Sequence, residues 1–174
     1  MDVKMAFLNG DIDETIYMVQ PKNFVSGDPK KMVCKLKKSI YGLKQASRQW
    51  YYEFHQVIIS FGFEINAVDD CVYHKFSGSK HIFLVLYIDD ILLATNDIGL
   101  LHETKRFLSK KFEMKDLGDA YFVLGIKIHR DRSRGILELS QKIYIDNVLK
   151  RFGMQESKPG DTPVAKGDKF NLKQ

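Results

Sequence analysis

Apolar residues recur at intervals of three and four between Gln45 and Phe61, at Ala46, Trp50, Phe54, Val57, Ile58 and Phe61. That spacing predicts an amphipathic helix packed on a core, and Gly62 follows where a C-terminal cap belongs. A second helix is expected over about residues 98 to 112, with Leu100, Leu101, Phe107, Leu108 and Phe112 on one side and Asp97 as its cap. Ser140 is placed to cap a third, which carries Ile143, Val148, Leu149 and Phe152 and ends at Gly153. Between them lie strand-like runs. Asp2 to Leu8 reads as a short strand, or a strand running into a turn, stopped by Asn9-Gly10. Extended pieces are expected at Ile16 to Val19, at Met32 to Lys44 and, weakly, near Cys71 to Phe76. Tyr121 to Ile128 reads as one further strand, and Arg134-Gly135 turns the chain into Ile136 to Leu139.

The most apolar stretch, "HIFLVLYIDDILLA" from His81 to Ala94, holds two adjacent carboxylates at its middle. Buried carboxylates are costly unless paired, so its two arms read as a hairpin. Asp89-Asp90 is then either a solvated turn or a pair held there to bind a cation.

In order, the main elements are strand, helix, hairpin, helix and strand. This is a split βαββαβ arrangement, an α+β fold with an antiparallel sheet and helices on one face. In that topology the first and third strands are neighbours, so Asp2 is expected close to Asp89 and Asp90. Like charges about 4 Å apart repel by roughly 1 kcal/mol in water and roughly 4 at an effective dielectric of 20. Three gathered carboxylates therefore ask for a cation, and hard oxygen ligands with open positions suit Mg²⁺, with Mn²⁺ as the alternative.

Composition narrows the class. At 174 residues the chain is read as one domain with at most a small extra lobe, and residues 158–174, with Pro159, Gly160 and Pro163, as a linker-like tail. The longest apolar run is the seven residues Ile82 to Ile88, too short to span a bilayer, and the start has no secretory pattern. Two cysteines, Cys34 and Cys71, with no CxxC, fit a reduced intracellular setting, cytoplasmic or nuclear. The net charge of +5 is unevenly spread: Lys22 to Arg48 carries +7 and the remainder −2. Either this is a solvated lysine-rich face, or a polyanion-facing surface lies beside an acidic centre.

The Tyr-x-Asp-Asp block at Tyr87 to Asp90 resembles the signature of reverse transcriptases. "DVKMAFLNG" at Asp2, "KLKKSIYGLKQASRQWY" at Lys35, "LGIKI" at Leu124 and "LSQKIYIDNVLKRFGM" at Leu139 resemble the Ty1/copia class of retrotransposon polymerases. The likeness runs from Asp2 to about Pro163. It implies a polymerase palm with partial fingers over about residues 9–44 and the start of a thumb over about 136–157, all within 1–157. It further implies Mg²⁺-dependent addition of deoxynucleoside triphosphates to a primer 3′-hydroxyl on an RNA or DNA template.

By that resemblance Asp2, Asp89 and Asp90 are the catalytic metal ligands, with Asp90 the less direct. Phe7 is similar to the aromatic residue that excludes a 2′-hydroxyl, which requires a turn between Asp2 and Phe7; its other reading is plain core. Gly42, Lys44 and Gln45 resemble the loop beneath the nucleotide. Tyr87 would line the primer terminus, and Arg48, Lys35, Lys37 and Lys38 would meet phosphates. Leu124 and Gly125 resemble the primer-grip turn, although a buried strand with a bulge at Gly125 reads equally well.

Two departures matter. Where copia-type enzymes have Ala-Pro-Arg-Gln-Trp, this chain has Ala46-Ser47-Arg48-Gln49-Trp50, so Ser47 either loosens that loop or caps the helix. Met1 stands one residue before Asp2, so the upstream fingers and the RNase H segment of a Pol polyprotein are expected elsewhere, and the chain alone is expected to extend a primer negligibly. The alternative is an inactive element remnant that at most binds nucleic acid. A nucleotide cyclase is disfavoured by the blocks outside the carboxylates.

Overall fold

The structure, a computed structural model, describes residues 1–158 apart from 13, 25, 26 and 29–31. Pro29, Lys30, Lys31 and the tail from Pro159 lie outside the described residues. The chain is a mixed α/β protein whose described residues divide into two compact units, Met1–Asp119 and those from Ala120 to Lys158.

In the first unit, β1 (Asp2–Val3), β2 (Tyr17–Val19) and β3 (Val33–Lys35) precede the helix α1 (Ala46–Ser60). Then come β4 (Glu64–Ile65), β5 (Val72–Ser77), β6 (Lys80–Tyr87), β7 (Asp90–Thr95), α2 (Ile98–Lys111) and β8 (Met114–Lys115). Six strands form one antiparallel sheet in the order β4-β5-β6-β7-β1-β8, and β2 pairs with β3 in a separate ribbon. The first strand is thus next to the second arm of the hairpin, as the strand order predicts.

Alternation makes one face of this sheet apolar. Ile82, Leu84 and Leu86 of β6 are buried with Val3, Ile91 and Tyr73, and both helices close over them. The α1 stripe supplies Trp50, Phe54 and Ile58, and α2 supplies Leu100 and Leu108. Rings tie these elements together, Phe54 lying 5.6 Å from Trp50, 6.1 Å from Tyr73 and 5.9 Å from Phe112. The helix ends follow their signals. Asp97 accepts the Leu100 N–H at 2.7 Å, and Gly62 takes φ +83° after α1. Ser47 is the second residue of α1, inside the helix, while Gln45 holds the cap position without a side-chain bond.

Gly10 is buried where the segment after β1 crosses α1. A Cβ there would stand 2.9 Å from Gln49 Cβ and 3.3 Å from the Trp50 backbone nitrogen. Gly10→Ala should therefore cost about 1–3 kcal/mol through overpacking. Urea denaturation checks this; an unchanged midpoint would mean the loop can lift off the helix freely.

The structure corrects three expectations. The strand that follows the second helix in this sheet is Met114–Lys115, which flanks Asp2; it is not Tyr121 to Ile128. That stretch instead breaks into β9 (Phe122–Val123) and β10 (Ile126–Asp131) of the second unit, which with β11 (Ile136–Ser140) make a three-stranded sheet. Val123 pairs directly with Ile126, and Leu124 and Gly125 between them take φ 52° and 79°. Two consecutive left-handed residues make a tight two-residue turn, so the single buried strand is excluded. Third, the final helix α3 (Lys142–Arg151) is capped in position by Gln141, although Ser140 Oγ still accepts the Lys142 N–H at 3.3 Å. None of its residues is buried.

The first strand is also shorter than Asp2 to Leu8. Met5 turns left-handed at φ 50°, and Ala6–Asn9 form a 3-10 helical turn. This is the turn that bringing Phe7 to the side of Asp2 requires. No helix among the described residues is long and apolar enough to cross a membrane.

Candidate active site

Val3, Ile91 and Met114 pack on the core, so their chain neighbours Asp2, Asp90 and Lys115 face the other side of the sheet. Register then lines up one rung across four strands. Tyr87 on β6 is opposite Asp90 on β7, Asp90 is opposite Asp2 on β1, and Asp2 is opposite Lys115 on β8. Directly opposed residues have Cβ atoms roughly 4.5–5.5 Å apart, where like charges destabilise. Asp2 and Asp90 are such a pair, and Lys115 stands opposite Asp2 on its other side.

Asp89 belongs to the turn. With Tyr87 and Asp90 paired, Ile88 and Asp89 form a two-residue connection, and Ile88 has φ 55°. A β-branched residue in the left-handed region is strained, so something must hold it there. Three bonds do so: Trp50 Nε1 donates to the Ile88 carbonyl at 2.6 Å, the Val3 N–H to the Asp89 carbonyl at 2.8 Å, and the Ile91 N–H to the Met1 carbonyl at 2.8 Å. The Asp89 carboxylate itself accepts a long bond, 3.3 Å, from the Tyr41 hydroxyl. Partial desolvation of that hydroxyl, followed by the charge and hydrogen bond of Asp89, raises the Tyr41 phenol above its ordinary range. The Tyr41 ring packs against Phe7, tilted by 39°, with centroids 4.3 Å apart.

The structure thus gathers Asp2, Asp89, Asp90, Tyr87 and Phe7 around one end of the sheet. Phe7 is half-buried and touches both the core and Tyr41. Gly42, next to Tyr41, is exposed at φ +98°, a conformation that side chains rarely adopt. Gln45 Nε2 reaches Glu14 at 3.2 Å, and Lys44 is exposed. Arg48 donates to the Tyr52 hydroxyl at 3.0 Å and lies over its ring, and Lys38 is ion-paired with Asp11. Lys35 ends the β2–β3 ribbon, and Lys37 just beyond it is exposed. Leu124 and Gly125 form the exposed tip of a turn in the second unit.

Sequence reasoning missed Lys115, because a two-residue strand leaves no periodicity to read. It took Trp50 as packing alone, and it did not single out Tyr41 as the partner of Asp89.

Among the described residues no three His, Cys, Asp or Glu side chains meet where one ion could be held. The donor set still fits Mg²⁺, which is usually bound by one or two carboxylates with waters and substrate phosphates completing its shell. Asp2 and Asp90 offer such a pair, and the Asp89 carboxylate accepts its bond from Tyr41. The described residues form an open carboxylate pair and no closed protein cage.

Comparison with known proteins agrees with the sequence blocks. The family described as reverse transcriptase (RNA-dependent DNA polymerase) matches residues 1–166. A retrovirus-related Pol polyprotein from transposon TNT 1-94 of Nicotiana tabacum is 51% identical over 166 residues, 95% of this chain and 12% of that protein. One from transposon RE1 of Arabidopsis thaliana is 39% identical over 172 residues, 99% of this chain and 12% of the relative. A transposon Ty5-1 protein of Saccharomyces cerevisiae is 33% identical over 164 residues, 94% of this chain and 53% of that protein. The chain therefore spans only about an eighth of the length of the two plant relatives. No solved structure matches it.

Proposed function

Since this chain belongs to the reverse transcriptase (RNA-dependent DNA polymerase) family, as part of a copia-type Pol polyprotein, we propose that its first unit is the palm that carries nucleotidyl transfer. The observation that carries this reading is the rung that sets Asp2 against Asp90, with Asp89 one residue away in a braced turn. Asp2, Asp90 and Asp89 would hold Mg²⁺ or Mn²⁺. Such ions stabilise the attacking and leaving oxygens of an in-line phosphoryl displacement when bound.

The chain's own residues do the positioning. The Phe7–Tyr41 ring pair borders the sugar of an incoming deoxynucleotide, where an extra 2′-hydroxyl would meet a ring. Gly42, Lys44 and Gln45 bracket its base, and Tyr87, on the same rung as the carboxylates, supports the primer end. Leu124-Gly125, at a turn tip, grips the primer strand. The β2–β3 ribbon with Lys35, Lys37 and Lys38, and Arg48 on α1, meet template and primer phosphates as a fingers segment. Exposed ion pairs are worth little, so Lys38 can exchange Asp11 for phosphate at small cost. The remaining Pol segments, including the RNase H part, complete the enzyme.

Binding to an RNA or DNA oligonucleotide should be independent of sequence and steep in salt. Three phosphate contacts from Lys35, Lys37 and Lys38 give a loss of roughly 20–40-fold between 50 and 200 mM salt. Fluorescence anisotropy across that range is the check, with the triple alanine variant expected to flatten the slope. Equal affinity at both salts would mean that the basic segment is only a solvated surface.

A further inference from the structure

Trp50 is the only tryptophan in the chain, and it is 1% exposed. Packing alone would be served by phenylalanine, because the ring sits among Phe54 at 5.6 Å and Phe112 at 5.1 Å. The indole adds one donor, and a buried donor must find an acceptor. It finds the carbonyl of Ile88, 2.6 Å away and 38 residues along the chain.

That carbonyl belongs to the strained residue of the carboxylate turn. The Ile88 side chain is 46% exposed, so its own packing does little to hold the left-handed backbone. Asp89 and Asp90 follow directly, and the direction in which their carboxylates point depends on the Ile88–Asp89 peptide. From just before the N-terminus of α1, the end of the helix that also carries Trp50, the loop with Tyr41 and Gly42 reaches the same turn through the Tyr41–Asp89 bond. One rigid helix thus connects the loop assigned to the nucleotide with the turn assigned to the metal.

We propose that Trp50 is a positioning residue for the carboxylate turn, its indole N–H holding the Ile88 carbonyl and through it the aim of Asp89 and Asp90. This rests on the reading that those carboxylates take a divalent metal. Groups that orient metal ligands typically cost 10–100-fold in affinity when removed, a range that scales the expected effect here.

The test uses the full chain with Mn²⁺ alone, the free ion being followed by electron paramagnetic resonance, beside urea denaturation of each variant. Wild type should bind Mn²⁺ better than Asp89→Asn. Trp50→Phe, which keeps a ring in the core, should stay folded and weaken Mn²⁺ binding about tenfold. A Trp50 that only packs would lower the unfolding midpoint and leave the Mn²⁺ affinity of the folded protein unchanged, which would overturn the proposal while leaving the metal site standing. If Trp50→Phe does not fold, the wild-type indole N–H resonance decides. A shift in step with Mg²⁺ binding supports the link, and a resonance unmoved at saturation overturns it. Should wild type bind Mn²⁺ no better than Asp89→Asn, the carboxylate reading itself fails and takes this proposal with it.

Discussion

Asp89→Asn should abolish nucleotide addition while leaving the fold as stable as before. Asparagine keeps the shape of aspartate and an oxygen that can accept from Tyr41, so the turn loses no packing. The bonds to the Ile88 and Asp89 carbonyls are backbone acceptors and do not change. What disappears is a negative charge beside Asp90 and Asp2, and removing one of several like charges relieves repulsion. Stability should hold or rise slightly. Activity should not: removing one preorganised electrostatic group from a reacting centre typically costs roughly 10²–10³-fold in kcat. Opposite movement of stability and rate is the mark of residues kept for chemistry. A suitable vehicle is the tobacco Pol polyprotein with residues 1–166 of this chain in place of the matching segment, assayed for Mg²⁺-dependent primer extension on RNA. A rate within twofold of wild type would remove Asp89 from the site.

Phe54→Ala should cost about 3–5 kcal/mol, the range for truncating a buried aromatic side chain. Phe54 is wholly buried at the centre of the first unit, and its ring meets Trp50 and Phe112 as well as Tyr73 of β5. Removing it opens a hole where α1 meets the sheet, a site that the surrounding rings cannot collapse to fill. Domains of this size are stable by about 5–15 kcal/mol, so most of the margin goes. Tyr52, two residues away on the outer side of α1, is the control; its alanine variant should stay within about 1 kcal/mol, since it loses only exposed contacts with Arg48 and the Tyr51 ring. Urea denaturation of the two variants separates them, and equal losses would mean that α1 does not pack as described.

Much of this was legible before any coordinates. The α1 stripe, the α2 stripe with Asp97, and the alternation around Asp89-Asp90 each repeat over enough residues to declare their period, and strand order then carried Asp2 to the hairpin. Elements of two residues escaped. Met114–Lys115 and Glu64–Ile65 are strands only because a neighbour pairs with them, and no local pattern announces that. Leu124-Gly125 lacks the Asn-Gly signal of a tight turn, so the apolar run left the turn that the resemblance implied and a buried strand equally open. At the site the acidic residues were readable from their cost in an apolar run and from the resemblance. The groups that aim them were not. Trp50 and Tyr41 reach the turn from 38 and 48 residues away, and such long-range hydrogen bonds leave no trace in spacing.

The most direct measurement is a crystal structure of the chain with an RNA–DNA primer duplex, a deoxynucleoside triphosphate and Mn²⁺, the metal being located by anomalous diffraction. Mn²⁺ is expected between Asp2 and the hairpin carboxylates at about 2.1 Å from their oxygens, with triphosphate oxygens completing its shell and the Tyr41–Asp89 bond broken. Mn²⁺ and triphosphate bound elsewhere, with Asp2 and Asp90 free of metal and Tyr41 still on Asp89, would contradict the assignment.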